Sequence, residues 1–488
     1  MSPSYFVGGW PAIPEQVNAI TLAINGQRTK RSLKIEAGAG SGKTSTLIAL
    51  ATYMSGTGFY IAFNKSIAQE AQGLFPLHIT CNTINALAYN AFGKPYARRL
   101  NRLNGEQIVD CFNPDARDPL TESQLANCAL STLRAYCQSA DRKILVRHIP
   151  EQITSRLLDP ITEPLVRAEI EESIILLARK IWKEMDNTRA KLPVLHDFYL
   201  KKWALSDPLI DADYIMLDEA QDSNDVILGV LEKQAAQIIY VGDRYQAIYG
   251  WRGASNAMAK ISTDDLAVIS QSFRFGPQIA EVANTVLAQL GSRFTVQGFN
   301  KITSHIGALS SPDAIICRTN ASCMQTAIEH LKQGAHVRFM GDQSALIKQI
   351  QAVEQLKRKG KTAHPDFNGI ASYSDLVNYG ESEEGSDFKS LLTIMRKYGA
   401  NDLTGMLTTM DDFDDPCLVV VTAHKSKGLE WNDVQLAGDF IFPGSKRYTQ
   451  EESHLLYVAI TRAKKQLDIT KLEDKLNVEQ NHIQRYSA

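Results

Sequence analysis

The stretch EAGAGSGKTST, residues 36–46, decides the fold because it carries almost the whole signature of a phosphate-binding loop. The strict signature G-x-x-x-x-G-K-[ST] begins with glycine, whereas this chain has Ala37 at that position. The remaining positions agree, with Gly42, Lys43 and Thr44 in the expected order. A small residue at a strand end can replace glycine if its φ is negative. The stretch therefore predicts a nucleotide-binding loop rather than a chance glycine-rich turn.

Short apolar runs recur along the chain, and each ends where a polar or glycine-rich segment begins. Unbroken runs of Val, Ile and Leu that alternate with helical patterns predict parallel strands covered by helices on both faces. The runs are LKIEA (33–37), FYIAF (59–63), YIMLD (214–218), IIYVGD (238–243), DAIICRT (313–319) and LVVVT (418–422). We therefore predict an α/β fold with parallel sheets, whose ligands bind at the carboxyl ends of the strands.

The 488 residues predict about three folding units, and two segments interrupt the α/β pattern. One has dispersed charge and helical periodicity, and the other is polar and mixed. The predicted organisation is a first α/β domain of residues 1–89 and 205–280 with a helical insertion at 90–204, then a second α/β domain of residues 281–345 and 415–488 with a small insertion at 346–414.

The composition is that of an ordinary globular protein, with 44% hydrophobic and 22% charged residues. A net charge of -2 gives no global attraction to nucleic acid, but a groove needs only local basic and aromatic groups. The seven cysteines form no C-x-x-C pair, and no apolar run approaches the roughly 18 residues of a membrane span. We expect a soluble intracellular protein, cytoplasmic in a prokaryote or virus and nuclear in a eukaryote.

The segment LDEAQD places Asp218 and Glu219 directly after an apolar run. One carboxylate at a strand end can hold Mg²⁺ beside the hydroxyl of Thr44, and the next can activate a water. Lys43 would neutralise the β- and γ-phosphates. An acidic pair alone also fits a solvated strand end, but together with the loop it favours a nucleoside triphosphatase.

The segment VGDRYQAIYGWRGA (241–254) again combines a strand with polar residues. Gln246 can orient a water or sense the γ-phosphate. Tyr249, Trp251 and Arg252 offer planar faces on which the bases of a single strand can stack, and core packing is the alternative for the two aromatic rings.

Two arginines lie beside apolar residues, Arg274 in QSFRFGP and Arg462 in YVAITRAKKQL. An unpaired cation in such a setting would be costly. Each arginine is therefore either an arginine finger, which stabilises the transition state of phosphoryl transfer, or a partner in a structural salt bridge. The basic segment GKPYARRLNRLNG (93–105) likewise fits either phosphate contacts or a solvated helical face.

The order of these motifs resembles that of the superfamily 1A DNA helicases, the UvrD/Rep/PcrA group, from about Ile13 to Leu467. In that family the loop reads A-x-x-G-x-G-K-T, which Ala37 to Thr44 match. The segment FNKSIAQEA is closest to the F-box DNA helicase branch, although no F-box is expected before the motor motifs. About 26 residues follow Arg462, so no fused nuclease is expected.

The resemblance implies two RecA-like P-loop domains with ATP between them, each carrying an inserted, mainly helical subdomain. It implies an ATP-dependent 3′-5′ single-stranded DNA translocase and helicase that uses ATP and Mg²⁺ and binds single strands and junctions with duplex. The alternative is a DNA-stimulated ATPase that remodels protein–DNA complexes or needs a protein partner to unwind. A small-molecule kinase would leave the Q-x-I-Y-x-W and H-K-S-K-G-L-E motifs unexplained.

The resemblance also assigns roles to individual residues. The nucleotide-binding set is Gln16, Ala37, Gly38, Ala39, Gly40, Ser41, Gly42, Lys43, Thr44, Ser45, Phe273 and Glu430. Of these, Gln16 would read adenine, Phe273 would stack on the base, and Glu430 is expected near the ribose. The catalytic set is Lys43, Asp218, Glu219, Gln246, Arg274 and Arg462, with Thr44 and Asp218 as Mg²⁺ ligands. The DNA-binding set is Phe63, Thr80, Thr83, Tyr249, Trp251, Arg252 and His424.

Two positions depart from the family pattern at expected DNA-contact or hinge sites. Asn85 stands where many relatives have histidine, and Arg244 stands where proline or alanine is usual. These departures bear on the details of DNA contact and not on ATP hydrolysis.

Overall fold

The computed structural model describes residues 5–115, 120–250, 256–360, 362, 364–367, 370, 372–381, 386–409 and 418–476. The chain divides into two units. The first consists of Met1–Ala37 and Lys43–Ile269, and the second of Gly38–Gly42 and Ser270–Ala488.

The first unit is built on a six-stranded parallel sheet and begins with a small hairpin. The hairpin strands are β1 (Phe6–Val7) and β2 (Trp10–Pro11). The sheet strands are β3 (Leu33–Ala37), β4 (Gly58–Ile61), β5 (Ile79–Asn82), β6 (Tyr214–Leu217), β7 (Gln237–Gly242) and β8 (Asp265–Ile269). Their order is β5-β4-β6-β7-β3-β8, and every neighbouring pair is parallel. The strand before the loop and the strand before Asp218 are therefore separated by β7 alone.

Helices surround this sheet and also form a separate group between β5 and β6. The helices are α1 (Pro14–Gln27), α2 (Lys43–Tyr53), α3 (Lys65–Leu74), α4 (Ile84–Ala88), α5 (Gly105–Phe112), α6 (Glu122–Gln138), α7 (Glu151–Ile153), α8 (Pro164–Asp186), α9 (His196–Leu205), α10 (Asp225–Leu231) and α11 (Ala257–Lys260). Helices α5, α6, α8 and α9 bury side chains such as Ile108, Leu133, Ile174 and Phe198 in a core of their own. This group falls in the segment where a helical insertion is predicted.

The second unit contains another six-stranded parallel sheet. Its strands are β9 (His305–Ile306), β10 (Ala314–Cys317), β11 (Val337–Phe339), β12 (Leu418–Thr422), β13 (Trp431–Leu436) and β14 (Ala463–Asp468), in the order β11-β12-β10-β13-β14-β9. Its helices are α12 (Pro277–Gln289), α13 (Asn320–Lys332), α14 (Gln343–Lys359), α15 (Tyr373–Glu381), α16 (Ser386–Tyr398), α17 (Ala400–Thr409), α18 (Ala423–Ser426) and α19 (Gln450–Ile460).

The predicted α/β class with parallel sheets is confirmed, and each of the six predicted apolar runs overlaps a strand. All four residues of β6 are buried, as expected for a strand covered on both faces. The boundaries of the four predicted segments stay predictions. Among the described residues, every helix is too short or too polar to span a bilayer.

Candidate active site

The glycine-rich loop connects β3 to α2, so the predicted strand-loop-helix arrangement is present. Ala37 is the last residue of β3 and has extended backbone, which satisfies the condition for replacing glycine. Gly40 and Gly42 have φ values of +70° and +72°, in the left-handed region that favours glycine. A Cβ on Gly40 would also lie 2.6 Å from Ser272 Oγ. The loop therefore needs glycine where the sequence provides it.

Polar groups within the loop fit a bound phosphate. Ser41 is buried, and its Oγ has no hydrogen-bond partner among the described residues. A buried hydroxyl without a partner is costly, and a phosphate oxygen would satisfy it. Lys43 lies at the first position of α2 and its Nζ is 3.3 Å from the carbonyl oxygen of Ala37. Helix N-termini attract anions through their free N–H groups, so the loop suits a phosphate.

Asp218 and Glu219 directly follow β6, at the carboxyl edge of the sheet, as predicted. The carboxylate of Asp218 is buried and accepts two hydrogen bonds. Its Oδ2 accepts from the hydroxyl of Tyr60 at 2.7 Å, and its Oδ1 accepts from the N–H of Glu219 at 2.8 Å. Burial and the charge of Glu219 raise the pKa of Asp218, while Tyr60 and the charge of Lys43 oppose this rise. Lys43 and Asp218 therefore lie within electrostatic range of each other.

Glu219 has an unusual backbone, with φ +49° and ψ +41°. This left-handed conformation is uncommon outside glycine and, where it occurs, is often associated with functional sites. The side chain of Gln221 donates a hydrogen bond to the Glu219 carboxylate. Gln221 Oε1 accepts from the N–H of Asp243 at 3.1 Å, and the Asp243 carboxylate accepts from Gln246 Nε2 at 2.8 Å. A continuous network thus joins the ends of β6 and β7 and brings the predicted Glu219 and Gln246 together.

The oxygen donors of this edge fit Mg²⁺. Thr44 is the second residue of α2 and Asp218 directly follows β6, and hydroxyl and carboxylate oxygens are ligands that Mg²⁺ prefers. Mg²⁺ usually takes its remaining ligands from substrate phosphates and water, so a protein needs to supply few. Within the described ranges no group of three or more His, Cys, Asp or Glu side chains could hold a metal by itself.

Gln16 lies on α1 and is almost fully buried. Its Nε2 donates to Thr46 Oγ1 at 3.1 Å, and its Oε1 accepts from the N–H of Ile13 at 3.2 Å. Thr46 belongs to α2, so this contact ties the predicted adenine-reading residue to the helix that begins at Lys43. Adenine recognition by Gln16 stays a prediction.

The predicted arginines belong to the second unit and have different environments. Arg462 is 1% exposed, and its guanidinium donates to the carbonyl oxygens of Val458 at 2.8 Å and Leu429 at 3.2 Å. Arg274 donates to Glu430 Oε2 at 2.7 Å and to the carbonyl oxygen of Thr461 at 3.0 Å. The salt-bridge interpretation of Arg274 therefore describes this structure, and its role in hydrolysis stays a prediction.

The environment of Glu430 follows from the same ion pair. Its Oε1 is also 3.5 Å from Lys464 Nζ. Burial would raise the pKa of Glu430, but the charges of Arg274 and Lys464 outweigh it and lower the pKa. Phe273 precedes Arg274 and is 37% exposed, with its ring edge-on to Phe299 at 5.5 Å between centroids. The predicted base-stacking residue is thus partly exposed.

The predicted DNA-binding residues of the first unit are partly brought together. The rings of Phe63 and Tyr249 stack with centroids 5.8 Å apart and an interplanar angle of 14°. Phe63 is 42% exposed and follows β4, and Thr80 is exposed on β5. Thr83 is buried instead, and its hydroxyl caps α4 by accepting from the N–H of Ala86. This capping gives Thr83 a structural role that the sequence prediction did not include.

Three predicted DNA-binding residues remain. His424 is half-buried on α18 of the second unit, while Trp251 and Arg252 lie outside the described residues. Of the two departures from the family pattern, Asn85 is exposed on α4. Arg244 Nη1 lies 3.9 Å from Glu36 Oε1, a contact within the first unit.

Comparison with known protein families shows which family this fold belongs to. The family model for the UvrD-like helicase C-terminal domain matches residues 82–474, most of the chain. The chain belongs to the UvrD-like helicase family. This membership confirms the predicted resemblance to superfamily 1A.

Two curated relatives match almost all of this UvrD-like chain. F-box DNA helicase protein 1 of Schizosaccharomyces pombe is 28% identical over 91% of this chain and 56% of its own length. F-box DNA helicase 1 of Gallus gallus is 28% identical over 93% of this chain and 49% of its own length. The chain thus spans about half the length of the curated relatives it matches. Among solved structures, an arterivirus nonstructural protein 10 (helicase) complex with DNA covers 93% of this chain and 62% of that chain at 10% identity, with a TM-score of 0.32, too distant a likeness to support an argument.

Proposed function

We propose that this chain is an ATP-dependent DNA helicase that moves 3′ to 5′ along single-stranded DNA and uses Mg²⁺. The observation that carries the proposal is that Lys43 and the pair Asp218 and Glu219 come after two strands of the same parallel sheet, β3 and β6, at its carboxyl edge. Their strands are separated only by β7, and the charge of Lys43 acts on the pKa of Asp218. A cationic phosphate ligand beside two carboxylates is the arrangement that hydrolysis of a nucleoside triphosphate requires.

Each group of the edge has a distinct part in hydrolysis. The loop N–H groups and Lys43 bind the phosphates, and Glu219 accepts a proton from the attacking water. Gln246 orients that water, and hydrogen bonds through Asp243 and Gln221 link it to Glu219. Mg²⁺, held by Thr44 and Asp218, would neutralise charge on the β- and γ-phosphates.

Arg274 and Arg462 are proposed to stabilise charge that develops on the transferred phosphoryl group. Arginines in this role contribute about 10³ to 10⁵ in rate. Arg274 would have to exchange its bond with Glu430 for one with a phosphate oxygen. A guanidinium can make that exchange because its planar fork suits carboxylate and phosphate oxygens alike.

The stacked pair Phe63 and Tyr249 supports single-stranded DNA as the track. Stacking of a base on an aromatic ring contributes about 1–3 kcal/mol and tolerates any sequence, which a translocating motor needs. The relatives' names, both of which include DNA helicase, point to DNA rather than RNA.

A second candidate is a DNA-stimulated ATPase that strips proteins from DNA or unwinds only with a loading or regulatory protein partner. The feature that favours this candidate is the small size of the second predicted insertion, because strand separation can be regulated from that segment. The two candidates share the ATP site and differ in whether the isolated chain separates strands.

The test is steady-state ATPase activity with and without single-stranded DNA, with an equal amount of RNA and with Lys43→Ala as the blank. We expect strong stimulation by DNA that is absent in the blank. Duplexes with a 3′ or a 5′ single-stranded tail then test direction, and only the 3′-tailed duplex should be unwound. Stimulation without unwinding would favour the second candidate, and no hydrolysis with either polymer would contradict both.

A further inference from the structure

Tyr60 is a buried tyrosine in β4 whose hydroxyl reaches the end of the neighbouring strand. Its side chain is fully buried, and its ring packs against Phe75 with centroids 4.6 Å apart. In the parallel register Tyr60 lies opposite Met216, two residues before Asp218. Its hydroxyl donates to Asp218 Oδ2 at 2.7 Å, within the range of a hydrogen bond to an ionised acceptor.

The hydrogen bond of Tyr60 completes the orientation of the Asp218 carboxylate. The other oxygen, Oδ1, accepts from the N–H of Glu219 at 2.8 Å. One donor on each oxygen fixes the rotation of the carboxylate about its last torsion. Each oxygen keeps further lone-pair capacity, which is directed away from the two donors. A carboxylate held in this way presents a defined face to a cation.

We infer that Tyr60 is a positioning residue, which fixes the carboxylate of Asp218 for Mg²⁺ and so sets the affinity of the nucleotide site for the metal. The inference rests on the proposed function, because that function makes Asp218 a metal ligand. Groups that hydrogen-bond to metal ligands in other proteins tune metal affinity and activity by about 10- to 100-fold.

Tyr60 could instead be only a core side chain that needs some partner for its hydroxyl. Tyr214 separates these roles because it is equally buried and lies in the adjacent strand, β6. Its hydroxyl is 3.4 Å from His78 Nε2, and it begins β6, at the opposite end of the strand from Asp218. Removing either hydroxyl leaves a phenylalanine ring of the same shape in the same core.

The experiment compares Tyr60→Phe, Tyr214→Phe and the unchanged chain. Electron paramagnetic resonance measures Mn²⁺ binding in the presence of a non-hydrolysable ATP analogue, and ATPase activity is measured as a function of Mg²⁺. For Tyr60→Phe we expect the Mn²⁺ dissociation constant and the half-saturating Mg²⁺ concentration to rise by about 10- to 100-fold. For Tyr214→Phe both should stay within about twofold of the unchanged chain, given its distance from the ligands. Affinity for the analogue without metal should be equal in all three.

A double-mutant cycle with Asp218→Asn provides the second arm. If Tyr60 acts through Asp218, Tyr60→Phe causes no further loss of Mn²⁺ affinity in the Asp218→Asn background. Equal metal affinity of Tyr60→Phe and Tyr214→Phe, or an undiminished effect of Tyr60→Phe in the Asp218→Asn background, would overturn the inference. If the unchanged chain binds Mn²⁺ with the analogue yet hydrolyses no ATP, the proposed function fails, and the Mn²⁺ comparison still decides the role of Tyr60.

Discussion

Polar residues follow strand ends at the carboxyl edges of both parallel sheets, but the polar groups after β3 and after β10 differ in whether they have partners within the protein. After β3 of the first sheet, Gly40 and Gly42 adopt left-handed backbone and the buried hydroxyl of Ser41 has no partner among the described residues. After β10 of the second sheet, Arg318 pairs with Glu452 through Nε at 2.6 Å and Nη2 at 2.8 Å.

Further hydrogen bonds stabilise the backbone directly after β10 in the second sheet. The Asp439 carboxylate accepts from the N–H of Arg318 at 3.0 Å and from the N–H of Thr319 at 3.0 Å. The loop after β3 thus leaves a buried hydroxyl for a ligand, whereas the charged groups after β10 pair with one another. The parallel α/β architecture brings polar residues to the strand ends, and the residues at those ends determine whether a ligand binds.

The largest expected effect concerns the base on the first edge. Glu219→Gln should lower the ATPase turnover number by about 10²- to 10⁴-fold, because an amide cannot accept the proton of the attacking water. ATP affinity should change little, since the amide keeps the size of the side chain. Turnover and nucleotide binding are measured separately, with the exposed Glu232→Gln as the matched control. A loss of ATP affinity as large as the loss of turnover would contradict a role confined to the chemical step.

Lys43→Ala should act on both binding and turnover. Removing the cation from the loop removes a charge that faces the phosphates, and we expect about a 10²- to 10³-fold loss of turnover together with weaker ATP binding. The control for loss of charge is Lys260→Ala, because Lys260 is an exposed lysine that pairs with Asp225. If Lys43→Ala and Glu219→Gln lose the same nucleotide affinity, the two side chains do not have the separate roles proposed here.

The sequence predicted the strands that lead to the first edge, but it did not predict every strand of the two sheets. Lys43, Thr44, Asp218 and Glu219 lie beside glycine-rich or apolar motifs, and parallel strands bring such motifs to one edge. Strand β14 (Ala463–Asp468) was not predicted because its residues AKKQLD include two lysines and form no apolar run.

Side-chain pairs distant in sequence were also beyond prediction. Tyr60 is one apolar-run residue among several, and its contact with Asp218 depends on the register of β4 with β6. The bond of Arg274 to Glu430 joins residues 156 positions apart. Neither pairing has a local sequence signal, because each arises from the packing of separate elements.

A substitution of Phe63 tests whether the first edge also binds DNA, and its expected effect on DNA affinity is intermediate in size. Phe63→Ala should weaken single-stranded DNA binding by about 1–3 kcal/mol, or roughly 5- to 150-fold, through loss of one stacking surface. ATPase activity without DNA should be unchanged because Phe63 follows β4, which β6 and β7 separate from β3 and the loop. The control is Phe6→Ala, an exposed phenylalanine of the β1–β2 hairpin. If fluorescence anisotropy shows unchanged DNA affinity, Phe63 does not bind DNA and only packs against Tyr249.

The smallest expected effect lies on the second edge and sharpens the contrast between the two. Glu452→Gln removes the charge that pairs with Arg318, and both side chains are largely buried. Weakening a charged hydrogen bond of this kind costs about 1–3 kcal/mol, which for a chain of this size lowers Tm by a few degrees. DNA-stimulated turnover well below Tm should be unaffected, because this pair stabilises the sheet and binds no substrate. A loss of turnover at unchanged Tm would mean that the second edge takes part in catalysis, and the division between a ligand-binding edge and a self-stabilised edge would be wrong.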